Sequence, residues 1–242
     1  MLLSSYSYTF IGDRSNNEDF VSSCENEDNG AYVVADGLGG HRDGEIASGC
    51  VAEAVTDAWR NAAPGAEEDL SAWLEKNIAD ANEKLLGLQQ ELASNMKSTI
   101  VALTIRDNEA VWGNTGDSRL YYVHDGELAS ITADHSVAYK KYIAGEITRR
   151  QINTDEDQSC LLRALGNTSR WEPEIHRATI VPGDAFMLCT DGMWEYLYDE
   201  EVLADCLKAS DAKEWAELLK LRAIERIDKG NDNLSILTVW VE

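Results

Sequence analysis

Residues 98–131 read STIVALTIRDNEAVWGNTGDSRLYYVHDGELASI, and how this stretch divides decides the fold. Ser98 to Ile105, Glu109 to Asn114, Arg119 to His124 and Glu127 to Ile131 are short runs rich in β-branched and aromatic residues, the composition of strands. Asp107-Asn108, Gly116-Asp117 and Asp125-Gly126 separate them. Connections this short predict antiparallel hairpins, since a parallel crossover needs a dozen or more residues.

On the N-terminal side, Ala31 to Ala35 (AYVVA) is an apolar run that breaks at Asp36-Gly37-Leu38-Gly39-Gly40, so it reads as a buried strand feeding a glycine-rich turn. Gly44 to Ala62 then turns helical, with Ile46, Cys50, Val51, Val55 and Trp59 on one face. A second helix spans about Glu67 to Ala93, where Leu70, Leu74, Ile78, Ala81, Leu85 and Leu92 recur at helical spacing. On the C-terminal side, Asp184 to Thr190 and Leu234 to Val241 read as strands, with helical stretches between them at Asp199 to Ala209 and Asp211 to Lys229. In the latter, Trp215, Leu218, Leu219 and Ile227 share a face and read as core. The fold class is therefore α+β, antiparallel sheets covered by helices.

Ser136 to Leu161 fits neither period. It carries Tyr139, Tyr142 and Ile143 on a short helix and then the polar stretch Asn153 to Ser159, so it reads as a surface flap in which Asp155 to Asp157 form a solvated loop. No Pro/Ser-rich linker or internal repeat divides the chain, which has only three prolines. A single domain over residues 1–242, with a flap at about 136–161, is expected.

A formal charge of -23, from 21 basic and 44 acidic residues, argues against a nucleic-acid partner and an anionic membrane. It favours basic partners instead. Cys24, Cys50, Cys160, Cys189 and Cys206 are odd in number and contain no Cys-x-x-Cys pair, which makes a zinc knuckle or disulfide framework a poor reading. Cys189, inside an apolar run, reads as a small buried residue. Met1 to Arg14 has neither the basic region nor the long apolar stretch of a signal peptide, and a cytoplasmic location is expected.

Aspartates beside glycines or asparagines stand where strand-like runs stop or start: Asp36-Gly37, Asp117 in Gly-Asp-Ser, Asp191-Gly192 and Asp232 in Asn-Asp-Asn. Carboxylates brought from distant segments suit a hard cation, because Mg²⁺ and Mn²⁺ take oxygen ligands and keep several waters. Any one Asp-Gly pair is more often a simple turn. The whole set becomes specific through its order: Arg14-x-x-Asn17-Glu18-Asp19, Asp36-Gly37-Leu38-Gly39-Gly40, Ser98-Thr99-Ile100-Val101, Gly116-Asp117-Ser118-Arg119, Asp134-His135-Ser136, Arg163-Ala164-Leu165-Gly166, Cys189-Thr190-Asp191-Gly192 and Asp232-Asn233-x-Ser235. From about Thr9 to Val241 this sequence resembles the metal-dependent Ser/Thr protein phosphatases of the 2C type, in their compact bacterial form.

The resemblance implies a four-layer αββα sandwich and a phosphatase that hydrolyses phosphoserine and phosphothreonine by attack of a hydroxide bridging two Mn²⁺ or Mg²⁺ ions, with room for a third. It implies that Asp36 bridges the ions, that Gly37 offers its backbone carbonyl, and that Asp191 and Asp232 complete the shell that holds the nucleophilic water. Glu18 and Asp19 would act through water, Asp117 would hold the third ion, and Arg14 would bind the substrate phosphate through its forked guanidinium. Phosphorylated Ser/Thr proteins, the substrates of a cognate kinase in bacterial signalling, are the implied partners, and a monomer is expected.

One position departs from the pattern. Many eukaryotic relatives carry a histidine, assigned as general acid, where this chain has Leu38; a metal-bound water can donate instead. His41 lies three residues on, and His135 reads as a structural hydrogen-bonding residue, as Arg119 and Arg163 read as structural ion-pair partners. A phosphatase of small phosphoesters and a non-catalytic interaction domain remain the alternative readings, since cations recognise phosphate and not its carrier. A calcium loop fits poorly, because Asp36 to Glu45 lacks acidic ligands at its third and fifth positions.

Overall fold

The computed structural model describes residues 1–39, 42–227 and 229–242. In chain order the strands and helices are β1 (Leu3–Phe10), β2 (Asp19–Glu25), β3 (Gly30–Leu38), α1 (Arg42–Ala62), α2 (Leu70–Leu92), β4 (Lys97–Ser98), β5 (Ile100–Arg106), β6 (Glu109–Thr115), β7 (Arg119–His124), β8 (Glu127–Ile131), α3 (Val137–Ile143), β9 (Glu174–Thr179), β10 (Ala185–Cys189), α4 (Asp191–Trp194), α5 (Asp199–Cys206), α6 (Ala212–Arg226) and β11 (Leu234–Val241). Local chemistry sets several of the ends. Asp69 caps α2 by accepting from the Ala72 N–H, and Ala93 closes it in the left-handed region at φ 49°.

Two antiparallel sheets result, one ordered β1-β11-β10-β7-β8 and the other β2-β3-β5-β6-β9, with β4 alongside β3. Alternation along β3 explains why AYVVA is apolar throughout. Ala31, Val33 and Ala35 face α1 and α2, while Tyr32 and Val34 enter the space between the sheets. Phe186, Leu188, Leu237 and Val239 meet them from the other sheet, whose outer face buries Met187, Cys189 and Ile236 with Trp194, Trp215 and Leu219. Helices, two sheets and helices therefore form four layers, and the α+β expectation holds.

Three details differ from the sequence reading. The turn at Gly116-Asp117 is no hairpin, because β6 and β7 belong to different sheets and the turn carries the chain across the sandwich. The 8-residue strand β1 and the strands β2 and β9 were not legible, since each sits at a sheet edge and alternates half-exposed and polar positions. Asp36 and Gly37 are not turn residues but the extended end of β3, paired with Asp19 and Ser98.

Residues 136–161 are clasped at their base by a bridge between Ser136 and Leu161 and lie over α4 and α5. Ile152 is buried, Arg149 pairs with Asp199 at 3.1 Å, and the Asn153 side-chain amide donates to the carbonyls of Trp194, Glu195 and Leu197, each at 3.1 Å. Asp155 and Asp157 are not free in solvent: both accept from Lys141, at 2.8 Å. Among the described residues, no helix is long and apolar enough to cross a membrane.

Candidate metal centre

The acidic residues gather where strands of both sheets end on the same rim of the sandwich. Asp36 is fixed through its backbone: its N–H donates to Thr99 Oγ1 at 2.9 Å, and its carbonyl accepts from the Thr99 N–H at 2.8 Å. Thr99 Oγ1 also lies 2.7 Å from Ser118 Oγ, which links this strand end to the Asp117 turn. Asp19, opposite Asp36 in the ladder, accepts from Thr190 Oγ1 at 2.8 Å, and Thr190 leads into α4 and Asp191.

Glycines permit the close approach. A Cβ at Gly37 would lie 2.0 Å from the Gly44 carbonyl oxygen, and one at Gly44 would lie 2.6 Å from the Glu18 carboxyl carbon and 2.8 Å from the Gly37 carbonyl oxygen. The Glu18 carboxyl and the Gly37 carbonyl thus face the same small space. A Cβ at Gly192 would come within 2.0 Å of the Asn233 carbonyl oxygen, so only glycine lets the start of α4 pack on the Asp232-Asn233 turn.

Each aspartate is also tied by its own neighbours. Asp191 Oδ1 accepts from the Gly192 N–H at 2.7 Å, and Asp232 Oδ1 from the Asn233 N–H at 2.8 Å. Asn233 in turn accepts from the Glu18 N–H at 2.7 Å and donates to the Ile11 and Asn16 carbonyls. Arg14 reaches the rim and donates to Asp232 Oδ2 at 2.6 Å. Asp117 is buried in the crossing turn, and its carbonyl accepts from the Trp194 indole at 2.9 Å.

This much buried acid is electrostatically costly. Burial raises Asp36 well above the ordinary carboxylate range, and the charges of Asp191, Asp19, Asp117 and Asp232 add to it. Asp117 is raised well above it too, by burial and then by Asp191 and Asp134. Asp19 is pushed up to about 7 by burial, with Asp191 and Asp232 adding and the hydroxyls of Ser235 and Thr190 opposing. Asp191 rises to about 6 through burial and the Asp232 charge. Glu195, pushed up to about 8 by burial and then by Asp191 and Asp232, belongs to the same field, and the sequence reading missed it. The available signal was its position one helical turn after Asp191.

Behind the acids stands a buried brace. Arg119 grips Asp134 with two bonds of 2.7 Å, and its guanidinium carbon lies 3.5 Å from the centre of the Trp194 ring. The structural role expected of Arg119 holds. His135 accepts from the Gly116 N–H through Nδ1 at 3.2 Å and meets Glu174 through Nε2 at 3.1 Å, while Arg163 stands 3.7 Å from Glu174. Both residues are structural, as expected, and Cys189 is fully buried with its thiol pushed well above its ordinary range by burial. Ser48, which donates to the Glu18 carbonyl at 2.5 Å, and Asn233 are positioning residues that the sequence reading did not single out in that role. His41 lies outside the described residues.

Among the described residues, carboxylates and a backbone carbonyl with no thiolate or imidazole make an all-oxygen donor set, the chemistry of Mg²⁺ and Mn²⁺. Among the described residues, no three His, Cys, Asp or Glu side chains form a ready-made cage. Such cations leave several positions to water, so the donor set fits hydrated cations better than an all-protein cage.

Residues 9–219 match the sequence profile of the protein phosphatase 2C family. The chain is 33% identical over 231 residues to the serine/threonine phosphatase stp of Listeria welshimeri serovar 6b, covering 93% of this chain and 90% of that protein. Among solved structures, it resembles the Mycobacterium tuberculosis serine/threonine phosphatase PstP/Ppp with a TM-score of 0.85, 28% identity and complete coverage of both chains (100% each). A structure of the PstP catalytic domain in complex with 2 manganese ions matches with a TM-score of 0.85 and 29% identity, over 99% of this chain and 98% of that one.

Proposed function

The chain belongs to the protein phosphatase 2C family, and on that basis we propose that it is a protein-serine/threonine phosphatase, dependent on two Mn²⁺ or Mg²⁺ ions, that opposes a Ser/Thr kinase in bacterial signalling. The observation that carries this reading is the gathering of Asp19, Asp36, Asp117, Asp191 and the part-exposed Asp232 into one acid field, with Arg14 at its edge. Five carboxylates with one another for neighbours need cations to balance them.

In this proposal Asp36 would be the carboxylate shared by the two ions, with the Gly37 carbonyl, Asp191 and Asp232 as the other protein groups that would hold them. Glu18 and Asp19 act through water, and Asp117 with Asp191 serves a third ion. When bound, the ions supply the Lewis acidity that activates water at neutral pH and offsets charge on the phosphoryl oxygens. Arg14 orients the phosphate: a guanidinium already pointed at Asp232 from an exposed position can turn its remaining donors to substrate oxygens. Thr190, Thr99 and Asn233 keep the carboxylates at their stations through the bonds described above. We further propose a single domain with residues 136–161 as a flap over the site, a monomeric state and a cytoplasmic location. The 2-manganese neighbour supports the cofactor reading, and the acidic surface supports a partner other than nucleic acid.

Purified protein should hydrolyse a phosphothreonine peptide with Mn²⁺ and stop with chelator. Turnover that survives both chelation and Asp232→Ala would sink the mechanism. Arg14→Ala should chiefly raise KM for the phosphorylated peptide, and an unchanged KM would remove its assigned role.

A further inference from the structure

A recess of about 470 Å³ opens at the base of segment 136–161, between α3 and the turn before β9, and the proposed mechanism does not use it. We propose that it is a subsite for an anionic side chain flanking the phosphorylated residue of the protein substrate, an inference that rests on the phosphatase reading above. Lys140 and Arg170 on its walls are the cations that would receive that side chain.

The argument begins with charge. Asp134 lines the recess, but both of its oxygens are taken by Arg119 at 2.7 Å. Glu174 lines it too, with Oε1 held between His135 Nε2 at 3.1 Å and Arg163 Nη1 at 3.7 Å. Those acids are neutralised by cations already present. Lys140 and Arg170 are exposed and, among the described residues, pair with no acid, although the chain has 44 acidic residues to 21 basic ones. The recess is therefore locally positive on a protein whose formal net charge is -23.

Backbone conformation gives a second indication. Arg170 is held at φ 61°, the left-handed region that a long side chain rarely adopts, and strain of this kind is retained where the surrounding structure gains from the residue. Position gives a third. The His135 N–H donates to the Gly116 carbonyl at 2.8 Å, and the Gly116 N–H returns a bond to His135 Nδ1, so the floor of the recess is laced to the residue before Asp117. An extended peptide advances ~3.3 Å per residue, so residues flanking the phosphorylated one are those that would face a recess laced to the Asp117 turn. Ammonium and guanidinium groups recognise carboxylate and phosphate alike, so the anion is either a Glu/Asp side chain or a second phosphorylated residue.

The test uses matched phosphothreonine peptides whose flanking positions carry Glu, phosphoserine, Ala or Lys, with p-nitrophenyl phosphate as a substrate that has no flanks. These are assayed on the wild type, Lys140→Ala, Arg170→Asn and the double variant; asparagine tolerates the left-handed backbone. The wild type should favour the anionic peptides by about three- to tenfold, through KM, and the double variant should lose that preference while its p-nitrophenyl phosphate turnover and melting temperature stay unchanged. Comparing the Glu and phosphoserine peptides separates the two anion sources. No anionic preference in the wild type, or one that persists in the double variant, overturns the subsite. Failure to hydrolyse any peptide while the small ester is turned over removes the protein-substrate reading as well, and failure on both substrates with Mn²⁺ removes the phosphatase reading itself.

Discussion

A methyl group at Gly37 would lie 2.0 Å from the Gly44 carbonyl oxygen, so Gly37→Ala must shift either the end of β3 or the start of α1. We expect that variant to lose about 1–3 kcal/mol of stability and to bind Mn²⁺ more weakly, as read by thermal melting and calorimetric titration. Asp134→Ala leaves the Arg119 guanidinium buried without its carboxylate, and urea denaturation should register a loss of about 3–5 kcal/mol. Both sites lay within quoted sequence motifs, so their importance was legible. The reason for it was not. Gly37 matters because of Gly44, and Arg119 because Asp134 and Trp194 converge on it from other elements. Glu195 went unread for a related cause: its place one helical turn after Asp191 is local, but that the turn sets it in the field of Asp191 and Asp232 is not.

At the scale of elements, α4 is a single turn that carries Asp191 at its start and is held at its other end from segment 136–161. Asn153 supplies that hold by donating to the carbonyls of Trp194, Glu195 and Leu197. Asn153→Ala should therefore lower the melting temperature by a few degrees, the effect of about 1 kcal/mol in a domain of this size, and raise the Mn²⁺ concentration needed for half-maximal binding in calorimetry. Long amphipathic helices and the hairpin at Asp125-Gly126 were readable because helical spacing and positive-φ turn residues are local signals, whereas the Asp69 cap that starts α2 went unread and the helix was placed from about Glu67. The Gly116-Asp117 turn misled because a tight connection looks alike whether it joins two strands of one sheet or crosses between sheets.

For the whole molecule, the gathered acids make stability depend on pH in an unusual sense. Burial raises Asp19 to about 7 and Asp191 to about 6 in the folded chain, so between the ordinary carboxylate value and those points the native state holds protons that the unfolded chain has released. Their contribution is fully present below the ordinary value and is lost as pH rises through about 6 and then about 7. The chelated protein should accordingly melt at a lower temperature at about pH 8 than at about pH 5, and saturating Mn²⁺ should cancel most of that difference, because bound cations replace the protons. A chelated protein that melts higher at the alkaline end would contradict the buried acid field. Repeating periods and turn chemistry are properties of neighbouring residues, so the long helices, the inner strands, the α+β class and the identity of the acidic motifs were present in the chain as written. The meeting of Asp19, Asp36, Asp117, Asp191 and Asp232 on one rim, the paired and unpaired cations around the recess, and the burial that raises the proton affinity of Asp19, Asp36, Asp117 and Asp191 arise from contacts between residues as far apart as Arg14 and Asp232. Solvent exclusion and charge proximity exist only once both sheets have closed on each other.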